Sequence, residues 1–155
     1  MKNLFVKHHD GSEGPQNMMM VNSEKECVLF YGHGTDELGG FRWRRDYDHR
    51  PSMDEVKKDI EALIDELTHE DILTGFEWEG KPVWLSTENQ LNFRIAVTAP
   101  VRFKLGEDTD GTPVYHEFTS QSKLNAFCKA VGNFVVEKLN AGWVLKDSID
   151  YSVYE

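Results

Sequence analysis

The chain has 155 residues, 28% of them charged and 39% hydrophobic, with a formal charge of −10. That length buries a working core and points to one globular domain with room for an appendage. The acidic balance excludes general binding to a nucleic-acid backbone, which needs a basic footprint, and no run approaches the roughly eighteen apolar residues of a membrane span.

The N-terminal MKNLFVKHHDG has a short apolar patch but neither a full hydrophobic region nor a small-residue cleavage site, so it does not read as a secretory signal. The expectation is a soluble protein made in a cytosol. Residues 1–50 read as a β-rich segment. Leu4 to Val6 and Met18 to Val21 suggest two strands around the polar loop HHDGSEGPQN, and Cys27 to Tyr31 suggests a third, ended by Gly32-His-Gly34. Phe41-Arg-Trp-Arg alternates with period two and suggests a fourth. The pattern fits a small antiparallel sheet, or an arm ordered against a partner.

Arg50-Pro51 marks a boundary, because the residue before proline is pushed from helical backbone; residues 51–155 read as an α+β domain. Ser52 and Glu55 form a capping box, and Val56, Ile60, Leu63, Ile64 and Leu67 recur at the spacing of one buried helical stripe. Lys57, Lys58, Asp59, Glu61, Asp65 and Glu66 cover the other side. This helix should stop near His69. A hairpin then runs from Ile72, with Phe76, Trp78, Val83 and Trp84 on strands either side of Glu79-Gly80-Lys81-Pro82. Thr87 with Gln90 predicts the cap of a helix from about Glu88 to Thr98, stopped by Pro100.

A second copy of the same arrangement follows about thirty residues on. Gly80-Lys-Pro-Val-Trp is echoed by Gly111-Thr-Pro-Val-Tyr, and Gln90-Leu-Asn-Phe93 by Lys123-Leu-Asn-Ala-Phe127. Val101 to Leu105 and Pro113 to Phe118 are its strands. Thr119 or Ser120 caps a long helix carrying Leu124, Phe127, Cys128, Val131, Val135 and Leu139, with Gly142 as its C-terminal cap. The apolar tail with Trp143, Ile149 and Tyr151 should pack back. The fold class is α+β, with two hairpin-helix units, an amphipathic helix and a small β-rich N-terminal part.

Chemistry-bearing patterns have structural explanations. His8, His9, Asp10 and His33 invite a metal, but adjacent strand histidines point apart and no second spaced pair completes a tetrahedral set. His116 lacks an accompanying nucleophile, and the Gly32-His-Gly34 and Gly39-Gly40 pairs lack a phosphate-loop ending. Asp46, Asp48, Asp108 and Asp110 lack the EF-hand spacing. Cys27 and Cys128 share no ligand or redox spacing. No cofactor, metal or catalytic residue is therefore assigned. The aromatic residues carry more interest, since indoles are favoured at interfaces and sugar-stacking surfaces. Trp84 and Trp143 read as core or edge-packing residues. Trp43 and Trp78, with Arg44 and Arg45 of the locally charge-offset Arg-Trp-Arg-Arg run, are the candidate partner contacts.

The runs RRDYDHRPSMDEVKKDI, ILTGFEWEGKPVWLSTENQLNF, PVYHEF and GWVLKDSIDY resemble proteins of phages and prophages of Bacteroides-type gut bacteria. These are similar to a domain of unknown function common near the ends of phage tail-associated proteins. The resemblance covers Arg44 to Tyr151 and supplies no catalytic residues. It implies a non-enzymatic role in the virion or in tail assembly, in the virion or host cytoplasm. The implied partners are other phage structural or assembly proteins, or a second copy of the chain. Two rival classes are an acidic early phage protein that blocks a host nucleic-acid enzyme by mimicking phosphates, and a carbohydrate-binding module with exposed indoles.

Overall fold

The structure, a computed structural model, describes residues 4–95 and 98–155. It is an α+β chain divided into two compact units, Met1–Glu66 with Lys146–Glu155, and Leu67–Leu145. The Arg50-Pro51 boundary read from the sequence separates a strand from a helix inside the first unit. Among the described residues no helix is long and apolar enough to cross a membrane.

The first unit holds the strands β1 (Val6–His8), β2 (Met18–Ser23), β3 (Glu26–Asp36) and β4 (Gly39–Tyr47), an antiparallel sheet in the order β1-β4-β3-β2. The third strand does not end at Gly32-His-Gly34. Gly32 takes a left-handed φ of 68° and the register slips between Tyr31 and His33, so the extra residue is absorbed as a bulge and pairing continues to Asp36. Cys27 to Tyr31 are all buried, and because successive strand side chains point to opposite faces, this part of β3 is covered on both sides.

The polar loop after β1 folds back onto the sheet. Gly11 N–H donates to Gly40 O, Ser12 Oγ donates to Phe41 O at 3.2 Å, and Gly32 N–H donates to Asn17 Oδ1 at 3.0 Å. The helix α1 (Met53–Thr74) starts with Ser52 Oγ accepting Glu55 N–H at 3.2 Å. Half of the expected capping box is thus present, while the Glu55 carboxylate turns to His49 Nε2 at 2.9 Å. Val56, Ile60 and Leu63 are fully buried, and Tyr47 donates its hydroxyl to Asp59 Oδ2 at 2.6 Å, tying α1 to β4. The C-terminal residues return as a 3-10 turn (Tyr151–Tyr154), where buried Tyr154 donates to Phe30 O at 3.1 Å.

The second unit begins within α1, which runs on to Thr74 and stops at Gly75 rather than near His69. Ile72 is therefore a buried helix residue, not the start of a hairpin; the apolar stripe simply continues one and a half turns beyond the point where polar His69 and Glu70 suggested an end. The hairpins are β5 (Phe76–Trp78) with β6 (Lys81–Val83), and β7 (Val101–Glu107) with β8 (Pro113–Phe118). The first turns on Glu79 and Gly80 alone, both at positive φ (49° and 77°), so Lys81 and Pro82 are strand residues.

The helix α2 (Thr87–Ile95) follows the first hairpin and α3 (Gln121–Asp147) the second, repeating the hairpin-helix order. Ser86, not Thr87, caps α2, accepting Asn89 N–H at 3.1 Å, while the Gln90 side chain donates back to Leu85 O. The expected end of this helix at Thr98 includes residues 96–97, which lie outside the described residues. Ser120 Oγ faces Lys123 N–H at the start of α3. Gly142 is not a cap: it is buried inside α3, where an added Cβ would lie 2.8 Å from Thr68 Oγ1, so the glycine is there for close approach of two helices. One aromatic core fills this unit. Phe127 is fully buried and its ring meets Trp78, Phe93, Phe103 and Phe118, mostly at tilted or edge-on angles.

Candidate interaction surfaces

Period-two alternation on β4 sends the Arg42-Trp-Arg-Arg45 run to both faces of the sheet, which prevents a single basic patch. Arg42 is buried. Its guanidinium binds Asp10 at 2.6 Å, donates to Pro15 O and lies 3.7 Å from the Phe30 ring centroid. Burial pulls the Asp10 carboxyl upward, but the hydrogen bonds from Arg42 and the Ser12 amide outweigh it and hold the group below its usual range. Arg44 pairs with Asp46 at 2.7 Å, and half-buried Arg45 reaches Asp59 at 3.4 Å while stacking over Tyr47. Burial, then the bond to Asp59, pushes the Tyr47 phenol far above its ordinary value and keeps it a neutral hydrogen-bond donor to Asp59.

Trp43 is half-buried, edge-on to Phe41 at 5.4 Å with the Lys7 ammonium 5.8 Å from its ring. It shares β4 with Arg44 and Arg45. Trp78 lies in the second unit, 5.3 Å from Phe127 in a T-shaped contact, with its indole N–H buried and without a hydrogen-bond partner among the described residues. Trp78, singled out as a contact residue, is half-buried and packs against the aromatic core. Its place opposite Lys81 on a three-residue strand could not be told from an exposed one by alternation alone.

The other two tryptophans divide. Trp84 packs over Gly106, where a Cβ would be 2.9 Å from its ring, and donates its backbone N–H to Leu105 O, joining the hairpins. Trp143, expected to pack, is 55% exposed. Val136 at 62% precedes it by seven residues and Leu139 falls between them, so the three share one face of α3. Leu139 also lines a groove of about 440 Å³ with Ile72, Leu73, Leu85 and Val135, its polar rim made by Ser86, Thr87 and Gln90. This apolar groove and its exposed ridge went unnoticed in the sequence because helical period marks Leu139 and Val135 as core. The signal that separates them is the solvent-facing Val136-Trp143 pair, three and four residues from Leu139.

Polar clusters elsewhere are occupied. His9 Nε2 lies 2.9 Å from Asp36, His8 is 4.0 Å from Asp10 and His33 contacts Gly14 O. Among the described residues no three metal-ligating side chains converge. The Asp108 side chain accepts the amides of Asp110 and Thr112 in the β7-β8 turn, and a proton shared with Asp108, then the bonds from Thr112, bring the Asp110 pKa to about 2. His116 sits half-buried on Phe118, with Lys81 Nζ 3.0 Å from Nδ1 and Glu79 3.9 Å from Nε2; burial and then the Lys81 charge lower its pKa. It is a neutral acceptor holding one hairpin to the other.

Comparison with protein-family models, curated proteins and solved structures gave no match.

Proposed function

We propose that the chain is a non-enzymatic phage or prophage protein that acts through protein contacts, as a tail-associated component or tail-assembly factor, and that its second unit receives the partner on the groove along α3. The observation carrying this reading is the exposed Val136-Trp143 ridge beside an open apolar groove. Exposed indoles and open apolar surfaces are both common features of protein interfaces. The residues that could have carried acid-base chemistry support the same reading by their engagement: Tyr47 is bonded to Asp59 and His116 accepts from Lys81. The tail setting rests on the resemblance of Arg44 to Tyr151 to phage tail-associated proteins.

The test is mass spectrometry of purified particles from an induced lysogen, comparing the native chain with Trp143→Glu. Native protein present at structural copy number, with the variant folded but missing from particles, supports the reading. Native protein absent from particles but abundant in infected cytosol overturns the virion component. An affinity pull-down that recovers the same tail-assembly proteins with native chain and Trp143→Glu overturns the groove.

A further inference from the structure

The strand β2 closes one side of the first unit's sheet, and among the described residues no backbone hydrogen bond leaves its outer edge. Open edges are normally blunted by shortness, charge or proline. The opposite edge, β1, follows that rule with three residues and an exposed Lys7. In contrast, β2 runs for six residues, Met18 to Ser23, without a charge or a proline, and exposes Met20 at 41% and Val21 at 48% on its two faces. The register slips near Ser23, and the Tyr151–Tyr154 turn packs close to the strand.

We propose that β2 pairs with β2 of a second copy of this chain, joining two four-stranded sheets into one of eight strands. An unpaired, uncharged, extended edge is best met by another of the same kind, and β2 itself is one. The geometry fixes the register. A two-fold axis normal to the sheet makes the strands antiparallel and keeps each side chain on its own face, and directly opposed residues share a face. Opposed positions must then be both odd or both even. Centring on Met20 sets Met20 against Met20, Met19 against Val21 and Met18 against Asn22. Centring on Val21 would set Met20 against Asn22 and Met19 against Ser23, matching apolar with polar. Charge permits this register: the Glu24-Lys25-Glu26 turn of one copy lies beside the uncharged Gly14-Pro15-Gln16 stretch of the other, so two chains of charge −10 meet without opposed acids. A single strand pair is a small interface, and the dimer is accordingly weak and concentration-dependent.

Sedimentation equilibrium of the full chain, from micromolar to near-millimolar concentration, tests this. The expected result is a monomer-dimer equilibrium that Met20→Lys shifts by about tenfold or more in dissociation constant, with an unchanged circular dichroism spectrum. Under mild oxidant Met20→Cys should give a disulfide-linked dimer and Met19→Cys should not, because only residue 20 meets itself. A monomer throughout the range overturns the proposal, as does a dimer indifferent to Met20→Lys. Trp143→Glu should leave the equilibrium unmoved, which keeps this result independent of the groove; a dimer lost with Trp143→Glu and kept with Met20→Lys would place self-association on α3 instead.

Discussion

Replacing Gly142 by alanine distinguishes a buried helix contact from a helix cap. In the interior of a helix, alanine is favoured over glycine by about 1 kcal/mol. At Gly142 the new Cβ would stand 2.8 Å from Thr68 Oγ1 and 3.7 Å from its Cγ2. Relieving that overlap has a cost of about 1–3 kcal/mol, typical of added methyl groups in packed sites. The expected net effect is a loss of about 0–2 kcal/mol. With Thr68→Ala the two offending atoms are gone and the nearest remaining one, Thr68 Cβ, is 3.8 Å away, an ordinary contact. In that background Gly142→Ala should stabilise by about 1 kcal/mol, a coupling of about 1–3 kcal/mol. Urea denaturation of the native chain, the two single variants and the double variant measures it. A gain of about 1 kcal/mol in both backgrounds would show that the helices do not meet here. An equal loss in both would restore Gly142 as a left-handed cap, since there the penalty belongs to the backbone and ignores Thr68.

Other expected outcomes follow from single contacts. Phe127→Ala should cost about 3–5 kcal/mol in thermal or urea unfolding, because a fully buried ring leaves a cavity among five aromatic neighbours; a loss under 1 kcal/mol would contradict the core. Glu79→Asn should raise the denaturation midpoint by a few tenths to about 1 kcal/mol, since asparagine tolerates the positive φ of a two-residue hairpin turn better than glutamate, and a lower midpoint would refute that turn. Tyr154→Phe should cost about 1 kcal/mol by leaving Phe30 O without its donor, and an unchanged midpoint would mean that bond is not formed. For His116 the folded pKa lies below the ordinary histidine value of 6.5, so the unfolded chain takes up the proton first. Its contribution is present above 6.5 and is lost as pH falls through the lowered folded pKa; His116→Gln should flatten that part of a stability-pH profile, and an identical profile would refute it.

Much of the architecture is written in local chemistry. The hairpin at Glu79-Gly80, the Ser52 cap and the stripe from Val56 to Ile64 are each decided by a few neighbouring residues, and all are present. What local pattern misreads is context. Gly32 looks like a terminator but is a bulge, because β4 supplies partners on the far side. Gly142 looks like a cap but is a contact, because its partner Thr68 lies more than seventy residues earlier in the chain. The same distance effect governs the candidate surfaces. Trp78 and Trp143 are indistinguishable by composition, and only the tertiary placement of Phe127 beside the one and of nothing comparable beside the other separates core from surface.

The division of the chain has a consequence for its synthesis. The second unit is one continuous stretch, Leu67–Leu145, whereas the first is completed only by Lys146–Glu155, which carry Tyr154 to Phe30. During synthesis the β1–β4 sheet must wait for Lys146–Glu155, whereas the aromatic core of Leu67–Leu145 can close before those residues are made. Chain order and assembly order of the two units are thereby reversed, and a nick near residue 150 should loosen the first unit while sparing the second.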